Sequence, residues 1–253
     1  MKRYIPLLII ILIIGALIAA AVIPKQQGVM GSYITTLSGR TRGQRINALL
    51  SLSSIDGAVI APGATFSFNN RVGSWSVDRG YVLAPVSYEG ELVTDIGGGV
   101  CQTSSTLYNA ALIAGMDIVK RTRHNWAPKY IPAGRDAAVA QQQVDLVIRN
   151  PYQYPVTIEK IDSEGMIGVK IVGKEKGPMA EITCESLSST APVDLIRHDN
   201  NLKPGNYRVK TRGRAGVKVT ISRIFIKGKS AGQRQLISQD SYPAMNKVIT
   251  VGE

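Results

Sequence analysis

Cysteine, histidine and aromatic residues are scarce in this chain, and each scarcity narrows what it can be. There are two cysteines and two histidines in 253 residues. A zinc site starts from a closely spaced pair of ligands. Cys101, His124 and Asp136 offer no such pair, so neither metal nor cofactor is expected. Two cysteines permit at most one disulfide, between Cys101 and Cys184, which an oxidising compartment would favour. Aromatic residues make up 6% of the chain and hydrophobic residues 44%, an ordinary balance for a folded protein and one that excludes global disorder. Internal repeats, low-complexity tracts and nucleic-acid-binding motifs are all missing. The net charge of +12 therefore points to anionic wall polymers or a membrane surface as partner, with no nucleic acid expected.

One long apolar run is present. Met1-Lys2-Arg3-Tyr4 leads into unbroken apolar sequence from Ile5 to Ile23, followed by Pro24-Lys25. Such a run can span a bilayer, and Lys2 and Arg3 would keep the short N-terminal tail in the cytoplasm. A cleaved signal peptide is the rival reading, because Ala19-Ala20-Ala21 resembles a small-residue cleavage site. The length of the run favours an uncleaved transmembrane anchor over residues 1–25. Both readings export the rest of the chain to the outer side of the cell membrane.

Residues 26–44 read as a spacer. Ser32–Thr36 suggests a short strand, and Arg45 to Ile55 a short helix with Ile46, Leu49, Leu50 and Leu52 as its apolar residues. Thr65–Asn69 alternates as a strand does, and so does the stretch Val144, Leu146, Ile148. Val156–Lys160 and Ile167–Ile171 flank Asp162-Ser163-Glu164-Gly165, a hairpin signal. A boundary falls between Gly173 and Ala191, and residues 190–253 read as a small all-β module. His198 reads as part of a solvated turn. The fold expected is α+β: mainly antiparallel strands around one helix, a β module after residue 190 and the N-terminal membrane helix before residue 26.

That one helix follows Gly97-Gly98-Gly99. Three glycines allow positive φ and close backbone approach. The helix beyond them carries Leu107, Ala110, Ala111 and Ala114 on one face and stops at Gly115. Cys101 thus stands where a loop enters a helix, flanked by polar residues, where unpaired N–H groups and the helix dipole favour a thiolate. Acyl transfer through a thiol needs a base and usually a group that orients it. His124, at the end of a following strand, and Asp136, in the next loop, are the candidates. The Cys101 N–H, Gly98, Gly99 and the Gln102 side chain are candidates for an oxyanion hole. Arg123 and Arg135 could grip a substrate carboxylate. Ser104 and Ser105 are candidates for substrate binding or for satisfying N–H groups at the helix start. Bland readings stand beside these: Cys101 packing its helix, His124 capping, and Asp136 paired with Arg135.

Pro62–Asn69, Val72-Gly73, Gly80-Tyr81, the Gly97–Tyr108 block, Arg121, His124, Tyr130-Ile131-Pro132, Gly134–Ala137 and Asn150 together resemble a VanW domain, over residues 45–172 within an expected domain of 45–175. Asn125 departs from the pattern, which has Ser beside the histidine. Gly213, Gly216, Tyr242-Pro243 and Val251-Gly252 resemble a G5 module. The VanW resemblance implies a cell-wall setting linked to glycopeptide resistance and, for at least some members, cysteine-dependent L,D-transpeptidase activity on peptidoglycan stem peptides. A wall-binding or scaffolding protein without chemistry is the alternative, with the glycine loop forming a ligand cleft.

Overall fold

A computed structural model describes residues 28–252 except 89–90, 142 and 229. The apolar run over residues 5–23, expected to form a membrane helix, lies outside the described residues. Among those described, no helix is long and apolar enough to cross a membrane. The α+β expectation is corrected as well, because the chain is mostly β. The described residues hold fifteen strands and three α-helices, together with a single turn of 3-10 helix over Val77–Arg79.

Strand β1 (Gly28–Thr36) leads to helix α1 (Arg42–Ile55). Thr41 starts that helix through a reciprocal capping box with Gln44, which satisfies two first-turn donors. Strands β2 (Ala58–Ile60) and β3 (Thr65–Ser67) follow, and then helix α2 (Phe68–Val72). The expected strand over Thr65–Asn69 therefore breaks after Ser67. The Ser67 hydroxyl accepts from Asn70 N–H and starts the helix, and Phe68 turns wholly into the core. Strands β4 (Leu83–Tyr88) and β5 (Glu91–Ile96) form a hairpin ahead of helix α3 (Val100–Ile113).

Beyond α3 lie β6 (Asp117–Lys120), β7 (Val147–Arg149) and the hairpin β8 (Val156–Ser163) and β9 (Met166–Gly173). Strand β7 is shorter than the alternation at Val144–Ile148 suggested; Val144 makes only an isolated bridge to Ala140. An antiparallel sheet in the order β1-β9-β8-β2 covers one side of α3, and β3-β7-β6 forms a second sheet. At Gly31 on β1, a side-chain carbon would stand 2.8 Å from Ala110 O, so glycine lets the end of α3 lie directly on the strand.

Helix α3 is enclosed all round rather than on one face. Leu107, Tyr108 and Leu112 are fully buried, and so are Gln102, Thr103, Ser104, Ser105, Thr106 and Asn109. Burying unpaired hydroxyls and amides would cost about 1–3 kcal/mol each, and here they are paired. Thr103 donates to Ala48 O at 2.9 Å, Thr106 to Gln102 O at 2.7 Å and Asn109 to Ser105 O at 2.7 Å. The polar run around Cys101 is internal wiring and not a solvated face.

The C-terminal half comprises β10 (Ala180–Thr190), β11 (Asp194–His198), β12 (Tyr207–Arg214), β13 (Gly216–Phe225), β14 (Arg234–Tyr242) and β15 (Met245–Val251). They form the sheets β10-β13-β14 and β11-β15-β12, with β11 parallel to β15. His198 ends strand β11 instead of sitting in a turn. Val219, Ile221 and Tyr242 are the buried centre of this half, and Ala127 and Ala133 from the preceding domain pack against them. The two halves share a core at that seam.

Candidate active site

The glycine loop reaches Cys101 through a narrow gap. A side-chain carbon on Gly98 would lie 2.6 Å from Pro85 O in β4, and Gly99 has φ of +112° directly against the Gln44 backbone of α1. Asn47 pins the loop, donating from Nδ2 to Gly98 O and to Val82 O, both at 2.9 Å. Gly99 is the N-cap of α3 and offers no side chain to cap it. Among the described residues the Cys101 N–H takes no backbone carbonyl, as expected of a first-turn amide. It is a donor available to an oxyanion, at the positive end of the helix dipole.

Cys101 is half-buried and unbridged, and Cys184 is likewise a free thiol, exposed on β10. The Cys101 thiol donates to Val139 O at 3.3 Å, and the His124 imidazole lies beside it, near enough to shift its titration. His124 Nδ1 is 2.6 Å from Asp136 Oδ2, and His124 N–H donates to the same oxygen at 2.7 Å. That leaves Nε2 for the thiol, the arrangement a base needs when a carboxylate fixes its tautomer. Three residues separated in sequence thus come into one line, and Asp136 is wholly buried.

Charge follows from that geometry. Burial opposes a thiolate at Cys101, yet the hydrogen bond and charge of His124 outweigh it and hold the thiol below its ordinary value. Burial likewise disfavours the His124 imidazolium, but hydrogen bonds to Asp136 and Cys101 push its pKa up to about 10. Asp136 lies below the usual carboxylate range: His124 and Arg121 overcome its burial. The arrangement favours a thiolate–imidazolium pair near neutral pH.

Several expected roles go elsewhere. Both Gln102 amide protons are spent, on Thr35 Oγ1 at 3.1 Å and Thr36 O at 2.8 Å, so the side chain has none left for an oxyanion. Ser104 donates to Ala137 O at 2.6 Å, and Ser105 donates to Cys101 O at 2.7 Å while accepting from Ala137 N–H at 2.9 Å. Both serines are fully buried; they fasten the Asp136–Ala137 segment to α3 and face no substrate. Arg123 donates to His124 O at 2.7 Å and lies over the Tyr242 ring, 5.3 Å from its centroid. Arg135 donates to Asn109 Oδ1 and lies over the Tyr33 ring. Asp136 pairs with Arg121 at 3.1 Å, not with Arg135.

Other participants had no role in the sequence reading. Tyr130 donates to Cys101 O at 3.0 Å, and the Arg40 guanidinium lies 4.6 Å from the centroid of that tyrosine ring. Arg40 Nε donates to Gln102 Oε1 at 2.9 Å. No carboxylate among the described residues pairs with Arg40. From the C-terminal half, Asp240 takes Arg121 Nη1 on both oxygens at 2.7 Å, and the Tyr242 hydroxyl donates to Asp136 Oδ1. Arg121, Tyr130 and Tyr242 stood within family-like motifs. Arg40 lay in the presumed spacer, and Asp240 carried no signal.

The family model described as VanW like protein matches residues 43–172, a little over half of the chain. The chain belongs to the VanW-like family. A G5 domain model matches residues 189–253. The chain is 41% identical over 129 residues to the uncharacterised protein YoaR of Bacillus subtilis (strain 168), spanning 51% of this chain and 43% of that protein. It is 31% identical over 152 residues to the vancomycin B-type resistance protein VanW of Enterococcus faecalis (strain ATCC 700802 / V583), spanning 56% of this chain and 54% of that protein. The chain spans about half the length of the curated relatives it matches. Two solved structures resemble the C-terminal part, each over 29% of this chain. The IgA1 protease G5 domain is 25% identical with 89% of it covered and a TM-score of 0.21. The HP0197 G5 structure is 20% identical with 96% covered and a TM-score of 0.18.

Proposed function

We propose that this is an exported cell-wall protein whose VanW-like domain is a cysteine acyl transferase acting on peptidoglycan stem peptides. The observation that carries the reading is the line Cys101–His124–Asp136 at the start of α3, with the thiol held low and the imidazole held high. The Cys101 thiolate attacks the carbonyl carbon of the third stem residue, and the resulting oxyanion takes the Cys101 N–H. Collapse breaks the C–N bond to the terminal D-alanine, whose nitrogen receives the proton from His124 Nε2. An amine of a neighbouring stem then attacks the thioester carbonyl, gives its proton to His124 and releases the thiolate. Water in place of that amine trims the stem without cross-linking it.

Arg40 takes the substrate carboxylate, the role the sequence assigned to Arg123 and Arg135. Its guanidinium has no acidic partner among the described residues and touches both Tyr130 and Gln102, whereas Arg123 and Arg135, also without a carboxylate, are engaged by His124 O and Asn109 Oδ1. The link to the cell wall and to vancomycin resistance rests on the VanW relative and on the G5 match.

The test is intact-mass analysis of the protein after incubation with disaccharide-tetrapeptides, beside Cys101→Ala. A thioester adduct or a cross-linked or trimmed product, absent from the variant, is the expected result. An unchanged substrate over a range of acceptor concentrations, with Cys101 intact, refutes it. The net charge of +12 would then favour a wall-polymer-binding protein without chemistry.

A further inference from the structure

The C-terminal module reaches the site across the seam between the two halves. Asp136 carries four donated hydrogen bonds, two on each oxygen. Oδ2 takes both of its bonds from His124. Oδ1 takes one from Arg121 Nη2 at 3.1 Å and one from the Tyr242 hydroxyl. Tyr242 belongs to β14, 106 positions away. Arg121 is itself aimed from that strand, because Asp240 holds Nη1 on both oxygens at 2.7 Å. Both groups on Oδ1 therefore depend on the C-terminal module, Tyr242 by belonging to it and Arg121 by sharing its guanidinium between Asp240 and, within its own domain, Asp136 O at 2.7 Å.

That grip has a mechanical meaning. The terminal torsion of an aspartate is broad, with no deep staggered well to hold the carboxylate plane. Beyond the packing around this buried side chain, its orientation toward His124 is set by hydrogen bonds. A carboxylate held only on Oδ2 could swing about that oxygen, and the His124 ring would follow it away from Cys101. The tyrosine hydroxyl is itself fixed, accepting from Gly134 N–H at 2.9 Å while donating to Asp136. Glycine is required at position 134 because a side-chain carbon there would stand 2.6 Å from Ile221 of β13. The charged and titratable groups around Asp136 are then Arg121, His124, Cys101 and Tyr130 from its own domain and Asp240 and Tyr242 from β14, with Tyr108 of α3 beneath Arg121 at 5.4 Å.

We infer that Tyr242 and Asp240 are positioning residues of the Cys101–His124–Asp136 site, so the G5-like half completes the catalytic unit and is not a separate appendage to it. This rests on the acyl-transfer reading above. It implies that docking of the module onto the VanW-like domain sets how much of the cysteine is in its reactive, ion-paired form.

The experiment measures the pH profile of Cys101 alkylation by iodoacetamide in the full chain carrying Cys184→Ser, which removes the exposed competing thiol. Tyr242→Phe and Asp240→Asn are each expected to slow alkylation at about pH 6 by about threefold or more, the net effect of each pKa unit lost. At about pH 9.5, above the range of an ordinary thiol, neither variant slows it. In a His124→Ala background Tyr242→Phe is expected to change nothing further, since it acts through the imidazole. The inference is overturned if both variants keep the wild-type acid limb, or if Tyr242→Phe costs as much without His124 as with it. Asp240→Asn keeps the question answerable should Tyr242→Phe unfold, and circular dichroism monitors both. An ordinary thiol profile in the parent protein would overturn the nucleophile reading itself, an outcome distinct from a low parent profile that the two variants leave unmoved.

Discussion

Asp136→Asn is the sharpest perturbation of this site. Asparagine matches the shape of aspartate, but one of its two oxygens becomes an NH2. If the remaining oxygen keeps Arg121 and Tyr242, the NH2 faces two His124 nitrogens, one of them the backbone N–H that donates to Asp136 at 2.7 Å. Two donors then meet, and the negative charge beside the imidazole is gone. His124 loses a principal cause of its raised pKa of about 10, and Cys101 loses the imidazolium that holds its thiol low. Each unit of upward drift in a thiol pKa cuts the thiolate fraction about tenfold on the acid side, while the more basic thiolate gains about threefold in nucleophilicity. The net loss of alkylation rate is about threefold per unit at about pH 6. At about pH 9.5, where both thiols are largely ionised, the sign reverses and the variant is the faster of the two. The two profiles must therefore cross. Removing one member of a buried ion pair also costs about 3–5 kcal/mol, so urea midpoints are measured alongside and rates compared only where both proteins are folded. Parallel profiles, or superimposed ones, would refute the claim that Asp136 acts on Cys101 through His124.

The same geometry bears on stability, on the glycine loop and on Arg40. His124, with its pKa raised to about 10, stabilises the fold most fully below its unfolded value of about 6.5, and the contribution fades as pH rises through about 10. The stability gap between wild type and His124→Ala, read from urea midpoints across that range, should shrink toward the alkaline end; a gap that widens refutes the sign. Gly98→Ala forces a methyl to 2.6 Å from Pro85 O; a backbone shift of that kind costs about 1–3 kcal/mol, visible as a lowered melting temperature, and an unchanged one would mean the loop has room. Arg40→Gln should lower the rate ratio of iodoacetate to iodoacetamide at Cys101 severalfold while leaving iodoacetamide itself nearly unchanged. An unaltered ratio removes Arg40 as the carboxylate site.

What could be read along the chain was what neighbouring residues decide. The glycine run, the helix after it and the cysteine at its start lie within one short stretch, so their chemistry shows in the letters. The hairpin β8–β9 was legible for the same reason, with turn residues between two alternating strands. Strand β11 hid because it is exposed along its whole length, and a strand without a buried side has no alternation to display. That hidden β content tipped the class from α+β to mostly β. The polar residues Gln102, Ser104 and Ser105 read as candidates for oxyanion or substrate contacts, whereas each is buried and bonded within the fold. Burial of a hydroxyl is set by whether the fold brings it a carbonyl, and a single sequence does not state that. The same limit explains Arg135 and Arg121. Both are cations near the same loop, yet Asp136 chose the one that Asp240 also holds. A carboxylate pairs with the guanidinium that the rest of the fold has already aimed, and here the aiming group arrives from a strand in the other half of the chain.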